Sequence, residues 1–220
     1  MKTMIKFIFL AMYLIASGIH VYGSFVYNKR IRQITKPMLM PALLLFYVAA
    51  AESVNPLVCA AIITSWAGDV FLMFRGMKWL NTGGVAFFLT HVALITLYSG
   101  NVTLSWRSVV VIGTYLMIGF GIITSMYLRL KRYMPKSNVA MLMAYLCVNI
   151  LMNLFAALQA TSQIVAGGTL ILLGSSLFLA SDSLLYMIRF DKKMPFYGKH
   201  ANVMLTYTMA KLLIVLGFLA

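Results

Sequence analysis

In 220 residues the chain carries 18 Lys and Arg against four Asp and Glu, a net charge of +14, and 62% of it is hydrophobic. Its mean hydropathy of +0.92 lies well above that of a soluble domain, in which about half the residues are apolar, so an ordinary soluble fold is excluded. What remains is an all-α membrane protein, a bundle of about eight transmembrane helices filling one polytopic domain over residues 1–220.

Apolar runs of about 20 residues, broken by polar or charged segments, predict the spans. In chain order they are Phe7–Val26, Pro37–Ala51, Leu57–Phe74, Gly83–Ser99, Ser108–Leu128, Val139–Leu158, Val165–Ile188 and Ala201–Leu219. The first begins after Lys2 and Lys6 and could be mistaken for a secretory signal, with Ala16-Ser17-Gly18 as a cleavage site. Its apolar stretch runs on to Val26 and stops at a basic loop, which predicts a retained helix, since signal h-regions span about 7–15 residues. Fourteen basic residues fall on one side of the bundle: Lys29, Arg30, Arg32 and Lys36 after span one, Arg75 and Lys78 after span three, Arg129, Lys131, Arg132 and Lys136 after span five, and Arg189, Lys192, Lys193 and Lys199 after span seven. Lys2, Lys6 and Arg107 face the other way. The positive-inside rule then puts both termini on the non-cytoplasmic side, and the cations meet lipid headgroups rather than nucleic acid. Short termini point to a bacterial inner membrane.

Cys59 and Cys147 lie inside spans without CxxC spacing or a nearby His, so neither a disulfide framework nor a zinc site is predicted. Two acids interrupt apolar runs instead. Asp69 lies six residues before Arg75, and Asp182 seven before Arg189, about 9 and 10 Å along a helix. Equal depth predicts one shared site in the cytoplasmic half, because an ionisable group in a span is costly and marks function by default. The same arithmetic places His91 about 12 Å and Lys211 about 16 Å deep. Helical spacing puts Ser175, Asp182, Tyr186 and Arg189 on one face, Tyr145, Asn149 and Asn153 on another, and Tyr207 with Lys211 on a third. The plain alternatives are polar glue between helices for the α-helical amides, and a structural ion pair of Lys211 with the carboxylates.

Lys36-Pro37, Gly68-Asp69, Phe87-Phe88-Leu89-Thr90-His91, Ser175 through Asp182 with Arg189-Phe190, and Thr206-Tyr207 followed by a polar residue at 211 occur in order along nearly the whole chain. In this the chain resembles the YhhN family of lysoplasmalogenases, eight-helix membrane hydrolases. The resemblance implies hydrolysis of the vinyl ether bond of a lysoplasmenyl phospholipid to a fatty aldehyde and glycerophosphocholine or glycerophosphoethanolamine, with no metal or organic cofactor. One departure stands out. The family pattern resembles Thr-Tyr-Tyr-x-x-Gln in the last span, where this chain has Thr206-Tyr207-Thr208-Met209-Ala210-Lys211. Pairing of Lys211 with a carboxylate would weaken that acid as a proton donor.

Vinyl ether hydrolysis needs a proton donor at the alkene carbon and an anion that stabilises the oxocarbenium ion or takes a proton from water, as paired glycosidase acids do. Asp69 and Asp182 are the catalytic candidates, with acid and base unassigned. Lys36, Arg75, Lys78 and Arg189 are candidates for the substrate phosphate, and His91, Tyr145, Asn149, Asn153, Tyr186, Tyr207 and Lys211 for the wall of the site. The partners are a lysophospholipid substrate and membrane lipid, with no nucleic acid. A proton-coupled transporter would use the same Asp, His and Lys set as a relay, although no repeat is evident; a receptor or scaffold would need larger loops.

Overall fold

The computed structural model describes residues 2–162, 164–191 and 199–220. Lys192 and Lys193, counted among the basic residues after span seven, lie outside the described residues, as do the side chains of Lys2 and Lys199. Eight helices are described: α1 (Lys2–Phe25), α2 (Lys29–Ala50), α3 (Pro56–Phe71), α4 (Met77–Ser99), α5 (Trp106–Leu130), α6 (Lys136–Ser162), α7 (Gly168–Phe190) and α8 (Lys199–Leu219). Seven are long and apolar enough to cross a membrane, and the exception is α3. At 16 residues α3 rises about 24 Å, short of a hydrocarbon core about 30 Å thick.

This corrects the expected span Leu57–Phe74. Asn55 caps the start, its side chain accepting from the Leu57 amide at 2.9 Å, and Pro56 occupies the first turn. The far end tightens into three-residue bonds from Met73 to Val70 and from Phe74 to Phe71, then turns through Gly76, whose φ of 116° suits glycine. Asp69 therefore lies in the last turn of α3, and the path from Asp69 to Arg75 is not a helical rise.

Elsewhere the helices extend beyond the apolar runs. α2 starts at Lys29 rather than Pro37, capped by the Asn28 side chain on the Ile31 amide, so Lys29, Arg30, Arg32 and Lys36 are helical. Pro37 and Pro41 fall inside it. Pro41 has no N–H to offer the Pro37 carbonyl, and the indole Nε1 of Trp66 on α3 donates to that oxygen instead, at 3.0 Å.

The chain divides into two compact units, Met1–Leu97 and Tyr98–Phe218. In the first, Leu39, Met40, Leu43 and Phe46 of α2 are buried together with Tyr13 of α1. The buried His20 of α1 meets the Thr35 hydroxyl of α2, Nδ1 to Oγ1, at 2.7 Å. In the second, α7 and α8 pack through glycine: a Cβ on Gly174 would sit 2.8 Å from the Ala210 carbonyl oxygen, and one on Gly167 2.0 Å from that of Gly217. Much of α5 turns apolar side chains outward, Val109, Leu116, Met117 and Phe120 among them, as a helix solvated by lipid tails does.

Candidate functional site

In the second unit the polar stripes of α6 and α7 meet. Asp182, buried on α7, accepts two hydrogen bonds on Oδ2, from the Tyr145 hydroxyl at 2.5 Å and from Nδ2 of Asn149 at 2.8 Å. Asn153, one turn further along α6, donates through Nδ2 to the Asn149 backbone carbonyl at 3.0 Å and to its side-chain oxygen at 3.2 Å. That second bond holds the Asn149 amide with its NH2 toward the carboxylate. Tyr186, one turn beyond Asp182, lies against Tyr145 with ring centroids 6.0 Å apart. All of these side chains are buried. A carboxylate in this cage is held by neutral donors, each worth more to an anion than to a neutral acceptor.

On α8, the buried Lys211 places its ammonium 3.5 Å from the ring centre of Phe178 and 5.5 Å from that of Tyr207. Phe178 belongs to the Asp182 face of α7, and the two rings meet edge to face. Aromatic faces carry negative charge density, so the cation is stabilised there. Ser175, on the same face of α7, meets the Tyr98 hydroxyl at 3.1 Å. A groove of about 490 Å³, lined by Gly121, Ile122, Ser125, Leu179, Ala180 and Ser183 among others, runs between α5 and α7. It follows the α7 face next to that of Asp182.

In the first unit Asp69 has a different environment. Its Oδ1 lies 3.4 Å from the Lys36 ammonium, with the Asp69 side chain buried and that of Lys36 mostly so. Gly68, beside it, lets the Phe87 ring of α4 approach; a Cβ there would fall 2.7 Å from that ring. His91, one turn after Phe87, is buried with Nδ1 2.6 Å from the Phe87 carbonyl oxygen. Lys36 also lines a cavity of about 210 Å³ with Lys29, Arg32, Gln33, Leu72, Met73 and Arg75.

The predicted residues thus gather as Lys36, Asp69 and Arg75 in one cluster and Tyr145, Asn149, Asn153, Asp182 and Tyr186 in another, with Tyr207 beside Lys211. Arg189 and Lys78 are exposed at a helix end. Sequence reasoning missed Arg32 and Lys29, which were counted as loop cations, and it missed Asp191. That third acid is buried at the end of α7 and accepts from Nε of Arg129 at 2.8 Å. Its signal was a lone acid directly after an apolar run, opposite a basic residue ending another. Among the described residues no group of three His, Cys, Asp or Glu side chains is placed to hold a metal ion.

A model of the YhhN family matches residues 31–218. The chain belongs to the YhhN family. That match takes in α3 to α7, nearly all of α2 and α8, and both carboxylate clusters. No curated protein and no solved structure matches this YhhN chain.

Proposed function

We propose that this YhhN protein is a lysoplasmalogenase-like hydrolase of the membrane, with Asp182 and Asp69 as its acid–base carboxylates. The observation that carries the reading is the Asp182 cage: a buried carboxylate accepting from Tyr145 and Asn149, with the amide oriented by Asn153. A group expensive to bury, held by two side chains of one neighbouring helix and with a third orienting one of them, is built for charge, not for packing.

In the reaction a proton adds to the alkene carbon next to the alkyl chain, and the ether oxygen shares the resulting positive charge as an oxocarbenium ion. Water adds to the carbon bonded to the ether oxygen and loses a proton. The hemiacetal then collapses, its C–O bond to glycerol breaking, to give the aldehyde and the glycerophospho-alcohol. Asp182, fixed as an acceptor, suits the anionic role, stabilising the cation and taking the proton from water. Asp69 is the proton-donating partner in this scheme once the Lys36 ammonium, which favours its charged form, is drawn away from it. The groove along α7 has largely apolar walls and a volume of about 490 Å³, which suit an alkenyl chain.

The test is incubation of purified protein with a lysoplasmenyl phospholipid and, separately, with its acyl ester analogue. Fatty aldehyde from the first and no fatty acid from the second are expected. Release of neither product, by protein that is monodisperse and folded, would leave the reading without support.

A further inference from the structure

Four cations converge on the cavity of the first unit: Lys29, Arg32 and Lys36 from the first two turns of α2, and Arg75 from the turn before α4. No carboxylate is among the described residues that line it, and Asp69 reaches the cluster through Lys36 at 3.4 Å. Gathering like charges is unfavourable, and position makes it more so. The first turn of α2 holds no acidic residue, so its cations face the positive end of the helix dipole unopposed. General attraction to anionic lipid is served by exposed cations such as Lys131 and Arg132. It does not call for Arg32 and Lys36 to be half-buried beside Leu72 and Met73.

We propose that this cavity binds the phosphate group of a phosphate ester, and that Lys36 is shared between that phosphate and Asp69. A tetrahedral phosphate accepts from several donors at once, and the guanidinium forks of Arg32 and Arg75 match its oxygens. Leu72 and Met73 offer an apolar wall to the carbon side of the ester. The Lys36 ammonium has three N–H donors and stands at the boundary of both anions, so phosphate entry draws it away from Asp69. Linkage makes the effect mutual: the Asp69 carboxylate opposes phosphate binding by the same factor by which bound phosphate loosens the Lys36–Asp69 pair. Assigning this phosphate to the substrate headgroup rests on the hydrolase reading, whereas the binding itself does not.

The test uses the full chain in nonionic detergent and reads equilibrium binding of an acyl lysophosphatidylethanolamine, which has no vinyl ether to cleave, and of inorganic phosphate. Arg32→Gln should weaken binding by about tenfold or more, the scale of one charge-assisted hydrogen bond, while Arg132→Gln should change it by less than about twofold. Asp69→Asn should tighten binding by about three- to tenfold, and Lys36→Gln should erase that gain. With four carboxyl side chains in the chain, the infrared carboxylate band of the unmodified protein gives a second reading of the exchange, and it should shift when ligand is added. Displacement of the lysophospholipid by millimolar inorganic phosphate would assign the site to free phosphate. Binding of the lysophospholipid without such displacement would assign it to the headgroup. No binding of either ligand, or equal losses in Arg32→Gln and Arg132→Gln, would overturn the phosphate site even if the vinyl ether were hydrolysed. Weaker binding in Asp69→Asn together with an unmoved carboxylate band would overturn the sharing of Lys36.

Discussion

Asp69 and Asp182 have different described partners. Asp69 lies beside a cation at the edge of a basic cavity, while Asp182 sits among hydroxyl and amide donors with its nearby cation described over aromatic rings. An ion pair can be exchanged for another counter-ion, so the environment of Asp69 can be changed by a ligand. The two described donors to Asp182 are side chains of one helix, and they orient its Oδ2. On the proposals made above, the same residue type would serve a responsive site in one unit and a fixed one in the other.

If the cations of the Asp69 cavity face the cytoplasm, as the charge distribution expects, a cysteine at Arg30 or Arg132 in a background lacking Cys59 and Cys147 labels only from that side, and one at Arg107 only from the other. Labelling of position 132 from outside alone would reverse the orientation. The next largest effect is on turnover. Asp182→Asn and Asp69→Asn should each leave folded protein and lower aldehyde release by about 100-fold or more, the scale of general acid–base catalysis. Near-normal release by both would falsify the catalytic assignment. Should activity instead return when Asp182→Asn is combined with Lys211→Gln, the carboxylate only balances a buried cation, because removing both members of a pair costs far less than removing one.

Much of this was legible in the chain. Apolar runs announced the helices because a span must satisfy its backbone internally, and the i, i+4 stripe of Tyr145, Asn149 and Asn153 marked the face that meets Asp182. Helix ends were not legible, because hydropathy falls where cations begin, whereas hydrogen bonding continues to the caps at Asn28 and Asn55. That is why Arg32 and Lys29 read as loop cations, although Lys36 and Arg75 of the same cavity were already candidates for the phosphate. The pairs Lys36–Asp69 and Arg129–Asp191 join residues distant in sequence, which no local pattern encodes. The rings that face Lys211 were not legible either, because depth arithmetic says nothing of aromatic faces.

A smaller effect sharpens the comparison within the Asp182 cage. Tyr145→Phe removes one of the two described donors to Oδ2 and keeps the ring against Tyr186. The expected loss in kcat is about tenfold, corresponding to about 1.5 kcal/mol for a hydrogen bond to a charged group, with stability nearly unchanged. The matching change at the other aspartate, Lys36→Gln, should alter KM more than kcat if the cation serves the phosphate. Equal effects of the two on kcat alone would erase the distinction between a fixed and a responsive carboxylate.

The smallest expected effect concerns the scaffold that brings α3, and with it Asp69, against α2. The Pro37 carbonyl has lost its helical donor to Pro41 and accepts from Trp66 instead, so Trp66→Phe leaves that oxygen unsatisfied. The cost should be about 1 kcal/mol, seen as a modest fall in Tm. Pro41→Ala supplies an N–H four residues after Pro37, and in that background the indole bond becomes redundant. Trp66→Phe should then cost clearly less than it does alone, a coupling of about 0.5–1 kcal/mol in a double-mutant cycle. Additive effects would mean that Trp66 stabilises α3 against α2 by packing alone, and that the helix tolerates its two prolines without help from the aspartate-bearing helix.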